Sequence, residues 1–189
     1  GSFAWQARGA GGRLLEAAQT LPLSAGQTTE ISLAARAFVT TLANTLQRGA
    51  ALLIDYGFPA REYYHPQRSG GTLMCHYRHH AHADPLCLVG LQDITAHVDF
   101  SAIAGAAVDG GCELFGYTGQ AQFLINCGIT DLLSGTSAED TEKYLPLAAE
   151  AQKLTSPAEM GELFKVIAYG RGLDFPLAGF TRGDRGYSL

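Results

Sequence analysis

Ala50-Ala51-Leu52-Leu53-Ile54-Asp55-Tyr56-Gly57 is the stretch on which the fold turns. Its first residues are apolar without alternation. A half-exposed strand would alternate, so the run reads as a strand covered on both faces, as in a parallel sheet between two helical layers. Asp55, Tyr56 and Gly57 then fall at the carboxyl end of that strand, where ligands sit in open α/β sheets. Glycine at 57 permits an abrupt exit and a close backbone approach.

Working outward, Ser32 is an N-cap, and Ala34, Phe38, Leu42 and Leu46 share one helical face that Gly49 stops. Residues 58–96 hold no clear long element and are rich in Tyr, His, Pro and Gly, which marks a functional or self-structured loop. Asp99 caps the next helix; Phe100, Ile103, Ala104, Ala107 and Val108 form its apolar stripe, and Gly110-Gly111 close it. A strand over 112–118 and a short helix over about 119–127 follow, with Gly128 as the stop. Ser137 with Asp140 resembles a capping box opening a helix that runs to about Thr155. The last strand is 163–169, and the tail from Gly170 is loop. The first thirty residues are irregular: Phe3 to Ala7 suit a strand and 9–12 a glycine-rich turn. Residues 1–30 therefore read as a hairpin or linker and 31–189 as the main domain. The order is α/β, without the strand and glycine-rich turn that usually open a doubly wound sheet.

Composition narrows the classes. Of the 189 residues, 47% are hydrophobic and 16% charged, which excludes intrinsic disorder. No apolar run approaches a membrane span, and Gly1 to Gln6 do not read as a signal peptide. Thirteen basic residues against eighteen acidic, with no basic cluster, speak against a nucleic-acid partner. Cys75, Cys87, Cys112 and Cys127 contain no C-x-x-C, so reduced core thiols in a cytoplasmic setting are expected, with two disulfides as the alternative.

Four constellations could carry chemistry. Gly9-Ala10-Gly11-Gly12, with Glu30 downstream, has the outline of a nucleotide loop, but G-x-G-G is not G-x-G-x-x-G, and a hairpin turn is the plainer reading. His76, His79, His80, His82 and Asp84 include H-x-H-x-D, the outline of a binuclear zinc hydrolase. Pro85 stands where that pattern needs another ligand and only His97 lies further on, so no metal is expected; a zinc site of His76, His80, His82 and Asp84 is the alternative. Asp55 and Tyr56 lie at the strand end. Asp93 and His97 precede the helix capped by Asp99, and neither fits a cap position, so a buried carboxylate–imidazole pair is expected there.

Ile54 to Gly57, Gly71 to His80, Asp84-Pro85 and Gly90 to Phe100 together resemble the MidA-type family of S-adenosylmethionine-dependent methyltransferases, over about Glu30 to Phe180. The resemblance implies the C-terminal part of a class I, Rossmann-like sheet with a long loop insertion, and with strands 112–118 and 163–169 as an antiparallel closing pair around a helical insertion. It also implies S-adenosylmethionine as cofactor, gripped by residues upstream of this chain. Its mitochondrial members assist respiratory complex I assembly and methylate an arginine of a complex I subunit. A protein arginine acceptor is thus implied, in the cytoplasm of a bacterium or the mitochondrial matrix. Asp55, Tyr56, Asp93 and His97 are the expected catalytic, acceptor-side residues. A non-enzymatic assembly or binding module is the alternative.

Overall fold

The computed structural model describes residues 3–189. In chain order, α1 (Gly12–Gln19) and α2 (Leu33–Thr45) precede β1 (Gly49–Phe58) and α3 (Ala60–Tyr63). Then come β2 (Met74–Tyr77), β3 (His80–His82), β4 (Asp93–Thr95), β5 (Val98–Asp99) and α4 (Phe100–Asp109). The chain continues through β6 (Glu113–Gly119), α5 (Gln120–Asn126), α6 (Ile129–Ser134), α7 (Thr141–Thr155), α8 (Met160–Leu163) and β7 (Phe164–Arg171). The fold is α/β, as the sequence indicated.

The local signals act where they were read. The Ser32 hydroxyl accepts from the Ala35 amide at 3.1 Å and starts α2. The Asp99 carboxylate accepts from Ala102 at 3.1 Å and starts α4. These caps satisfy amides that a helix leaves unpaired at its first turn. The capping box at Ser137 does not form: α7 begins at Thr141, and the Asp140 side chain makes no cap bond.

The sheet order is β5-β1-β7-β6. The expected antiparallel closing pair is present as β6 and β7, and what is corrected is the parallel surrounding of β1. β1 runs antiparallel to β7 from Gly49↔Arg171 to Tyr56↔Phe164, and pairs in parallel only at Gly57↔Val98 and Phe58↔Asp99. Nor is β1 covered on both faces. Ala51 and Leu53 face the core, whereas Leu52 and Ile54 are 44% and 48% exposed. From Gly49 to Tyr56 no strand among the described residues lies on the side of β1 away from β7.

Helices α2 and α4 pack on one face of the sheet. Val39 and Ala43 meet Phe100, Ile103, Ala104 and Ala107, above Tyr117, Ile167 and Tyr169. The buried face of α2 is thus set by Ala35, Val39 and Ala43, and Phe38 of the expected face points outward at 59% exposure. Small side chains win because the two helices approach closely: a Cβ on Gly110 would come within 2.6 Å of that of Ala43. On the other face Val166, Ala168 and Phe180 form a second cluster with Phe115 and Phe123.

Two loop expectations change. Residues 58–96 contain a three-stranded antiparallel sheet of order β3-β2-β4. Residues 3–11 form no strand, so the expected hairpin at 3–12 is replaced by an extended lead into α1. No helix among the described residues is long and apolar enough to cross a membrane.

Candidate functional site

Gly57 determines what lies at the carboxyl end of β1. It is buried, and a Cβ there would overlap the backbone of Val98. Only glycine lets the segment around Val98 run alongside, which brings the His97 ring against Tyr56 and Phe58. The ring centroids are 5.4 and 5.0 Å apart, both edge-to-face. Tyr56 also meets Phe164 at 5.7 Å. Arg68 lies over the Phe58 ring, its guanidinium carbon 4.0 Å from the centroid, while its Nε donates to the Glu62 carbonyl at 3.0 Å. No ion pair among the described residues involves Arg68.

Glu30 organises the other side. Its Oε2 accepts from the Thr72 amide at 2.9 Å, the Thr72 hydroxyl at 2.9 Å and the Tyr63 hydroxyl at 3.3 Å. Its Oε1 accepts from the Leu73 amide at 3.2 Å. Thr72 in turn accepts from the His97 amide at 3.0 Å. The carboxylate therefore ties the 71–73 loop to the segment carrying His97. Gly71 takes a φ of +79°, and a Cβ there would overlap Glu30. Burial, with Glu30 adding to it against the Thr72 hydrogen bond, pushes the Tyr63 phenol up to about 12. Alongside, the Tyr64 hydroxyl donates to Asp99 Oδ2 at 2.7 Å, and burial followed by that bond raises its phenol too. Asp99 is thus both helix cap and anchor.

Between these parts lies a cavity of about 480 Å³, walled by Tyr56, Arg68, the 71–74 loop, His76, His97 and Leu163-Phe164. Burial lowers the His97 imidazole below its usual value and Arg68 lowers it further, opposed by Glu30 and Asp55. The imidazole is therefore neutral at pH 7. Its Nδ1 is buried and has no hydrogen-bond partner among the described residues.

The structure brings Tyr56 and His97 together, whereas Asp55 is exposed, its Oδ1 accepts from the Tyr56 amide at 2.8 Å, and it lines a second cavity with Phe38, Leu53 and Val98 instead of this one. Asp93 is exposed on β4 opposite His76 and does not line the cavity. The expected buried Asp93–His97 pair is corrected on that ground. An extended segment rises about 3.3 Å per residue, so four residues carry the two side chains apart. The zinc set is also split. His80 and His82 lie on one face of the small sheet, opposite Tyr77 and Cys75, whereas His76 lies opposite Ala81 on the other. Among the described residues no group of three or more His, Cys, Asp or Glu could hold a metal ion. Tyr63, Tyr64, Arg68 and the hub role of Glu30 escaped the sequence reading. The Gly71-Thr72-Leu73 block was the available signal for the hub.

Residues 3–118 match the family described as "Putative S-adenosyl-L-methionine-dependent methyltransferase". The chain belongs to this family. Two crystal structures of one superfamily from Burkholderia thailandensis share the fold. A native structure of an uncharacterised member superposes with a TM-score of 0.89 at 57% identity, covering 94% of this chain and 48% of that one. A member bound to S-adenosyl-homocysteine superposes with a TM-score of 0.89 at 55% identity, covering 95% of this chain and 46% of that one. The mitochondrial protein arginine methyltransferase NDUFAF7 of Rattus norvegicus is 35% identical over 122 residues, 64% of this chain and 26% of the relative. Its Drosophila melanogaster homologue is 30% identical over 165 residues, 80% of this chain and 35% of the relative. The chain thus spans about half the length of the solved methyltransferase relatives, and less of the curated ones.

Gly9, Gly11 and Gly12 meet no atom that a Cβ would strike, and no strand runs into them. The strand–glycine turn–helix grip for a nucleoside cofactor is not built among the described residues.

Proposed function

We propose that the chain supplies the acceptor side of an S-adenosylmethionine-dependent methyltransferase whose acceptor is a protein arginine. The observation that carries this is the match, over 95% of the chain, to a protein holding S-adenosyl-homocysteine, the demethylated form of that donor. The printed name of the mitochondrial relatives supports arginine. A respiratory complex I subunit, implied by the family resemblance, is the acceptor to try first.

When bound, S-adenosylmethionine supplies a sulfonium methyl that is already activated. The chain's own residues do the rest. Asp55, exposed and near enough to His97 to act on its charge, pairs with a guanidinium through charge-assisted bonds. The acceptor nitrogen must shed one proton as its bond to carbon forms. Neutral His97, beside Asp55, takes that proton as general base. Tyr56 and Phe164 wall the site against water. Asp93, out on β4, meets the substrate chain away from the reacting nitrogen. In the binding-module alternative the same surface would hold the partner without transfer.

A chimera tests this: the chain replaces the aligned segment of the Burkholderia thailandensis relative bound to S-adenosyl-homocysteine. Labelled methyl should pass from S-adenosylmethionine to arginine of an acceptor protein and be recovered as methylarginine. Folded, cofactor-binding chimera without transfer, or with the label on another side chain, overturns the reading.

A further inference from the structure

The cavity at the end of β1 has a charge character that a guanidinium does not match. Its one permanently charged wall is Arg68, and among the described residues no carboxylate lines it. Glu30, the nearest acid in the network, has both oxygens occupied by Thr72, Leu73 and Tyr63. The Arg68 guanidinium is only partly exposed, stacked on Phe58, and holds one backbone carbonyl. A guanidinium carries five N–H donors, so most of these are free for a ligand. Of the remaining walls, Tyr56, Leu73, Met74, Leu163 and Phe164 are apolar or aromatic, and Thr72, His76, Thr95 and His97 add neutral polar groups.

The geometry points to a specificity subsite for an anionic group carried on an aromatic or apolar body. The body lies against the paired rings of Tyr56 and Phe164, and its carboxylate reaches the free N–H groups of Arg68. In the methyl-transfer reading, on which its role rests, this subsite takes an aromatic residue and a neighbouring carboxylate of the substrate. The acceptor guanidinium stays on the His97 and Asp55 side, because Arg68 repels it from the rest of the cavity. Acceptors would then be chosen by what flanks the arginine. A planar anion matches the guanidinium fork, which a simple ammonium would not provide in the same way.

Phenylacetate and phenethylamine form a probe pair that share a ring and differ in the sign of charge. Ligand-observed NMR on the 189-residue chain needs neither cofactor nor acceptor, so failure of the subsite and failure of the methyltransferase reading are separable. Phenylacetate should bind at least tenfold more tightly than phenethylamine and shift the resonances of Tyr56 and His97. Arg68→Gln should remove that preference, whereas Arg68→Lys, which keeps the charge, should retain a preference for the anion with weaker binding. The chain's dispersed amide spectrum shows whether each variant folds, and the wild-type probe comparison stands without either. Equal binding of the two probes, or phenylacetate affinity unchanged in folded Arg68→Gln, overturns the proposal.

Discussion

Replacing Glu30 by alanine should loosen the site and lower the stability of the whole fold. The Thr72 and Leu73 amides lose their only described acceptor, at 2.9 and 3.2 Å, and the Thr72 hydroxyl loses its partner at 2.9 Å. Tyr63 keeps an alternative in the His97 carbonyl at 3.1 Å, so its loss is smaller. A half-buried donor left without an acceptor costs about 1–3 kcal/mol, and two such amides sharing one carboxylate do not add fully. We expect a net loss of about 2–4 kcal/mol by these magnitudes. For a chain of this size that corresponds to a fall in melting temperature of roughly 5–15 °C. Glu30→Gln keeps one acceptor oxygen and should lose about half as much. Thermal and urea unfolding measure this on both variants. Because Thr72 also receives the His97 amide, phenylacetate binding in the folded alanine variant should weaken as well. Stability of Glu30→Ala within about 0.5 kcal/mol of the parent, the range of neutral surface changes, would refute the hub.

Three further outcomes follow. Gly57→Ala should cost more than about 2 kcal/mol and disrupt the β1–β5 pairing, since its Cβ meets backbone that has no room to yield; an unchanged urea midpoint contradicts this. His97 is lowered in the fold, so the unfolded chain binds the extra proton first. Stability should be full above about pH 6.5 and fall as the pH drops from there until the folded imidazole also titrates, a slope that His97→Gln should remove; identical pH profiles for the two proteins exclude it. Calorimetric titration of the 189-residue chain with S-adenosylmethionine should reveal no low-micromolar site, because the described residues build no glycine-rich grip; a clear site would send attention back to Gly9–Gly12.

What could be read from sequence was what depends on neighbours along the chain. Ser32 and Asp99 act on amides three residues away, so the two helix starts were legible. The end of β1 was legible because Asp-Tyr-Gly has a stereochemical reason to stop a strand, and Gly57 serves a close approach as well. The direction of β1's partner was not, because β7 lies more than a hundred residues away and an apolar run says nothing about strand direction. Strands β2, β3 and β4 hold three or four residues each and exist through mutual pairing, not propensity. Of the site, Tyr56 and His97 could be named from position, while Glu30 and Arg68 gain their roles through contacts across tens of residues. The proximity of Asp93 to His97 in sequence misled because an extended backbone separates what it lists in order.

The outer side of β1 has a practical consequence for handling the protein. From Gly49 to Tyr56 its peptide groups on that side face no strand among the described residues, and Leu52 and Ile54 stand exposed beside them. Natural sheets guard such borders with lysine, proline or a bulge, and this stretch has none of the three. The isolated chain would therefore recruit further copies by strand addition, and its solubility would fall steeply with concentration. Amides on that border should exchange with deuterium far faster than those facing β7. Lysine in place of Leu52 should act as a gatekeeper that keeps the chain dispersed without disturbing the cavity at the far end of the strand.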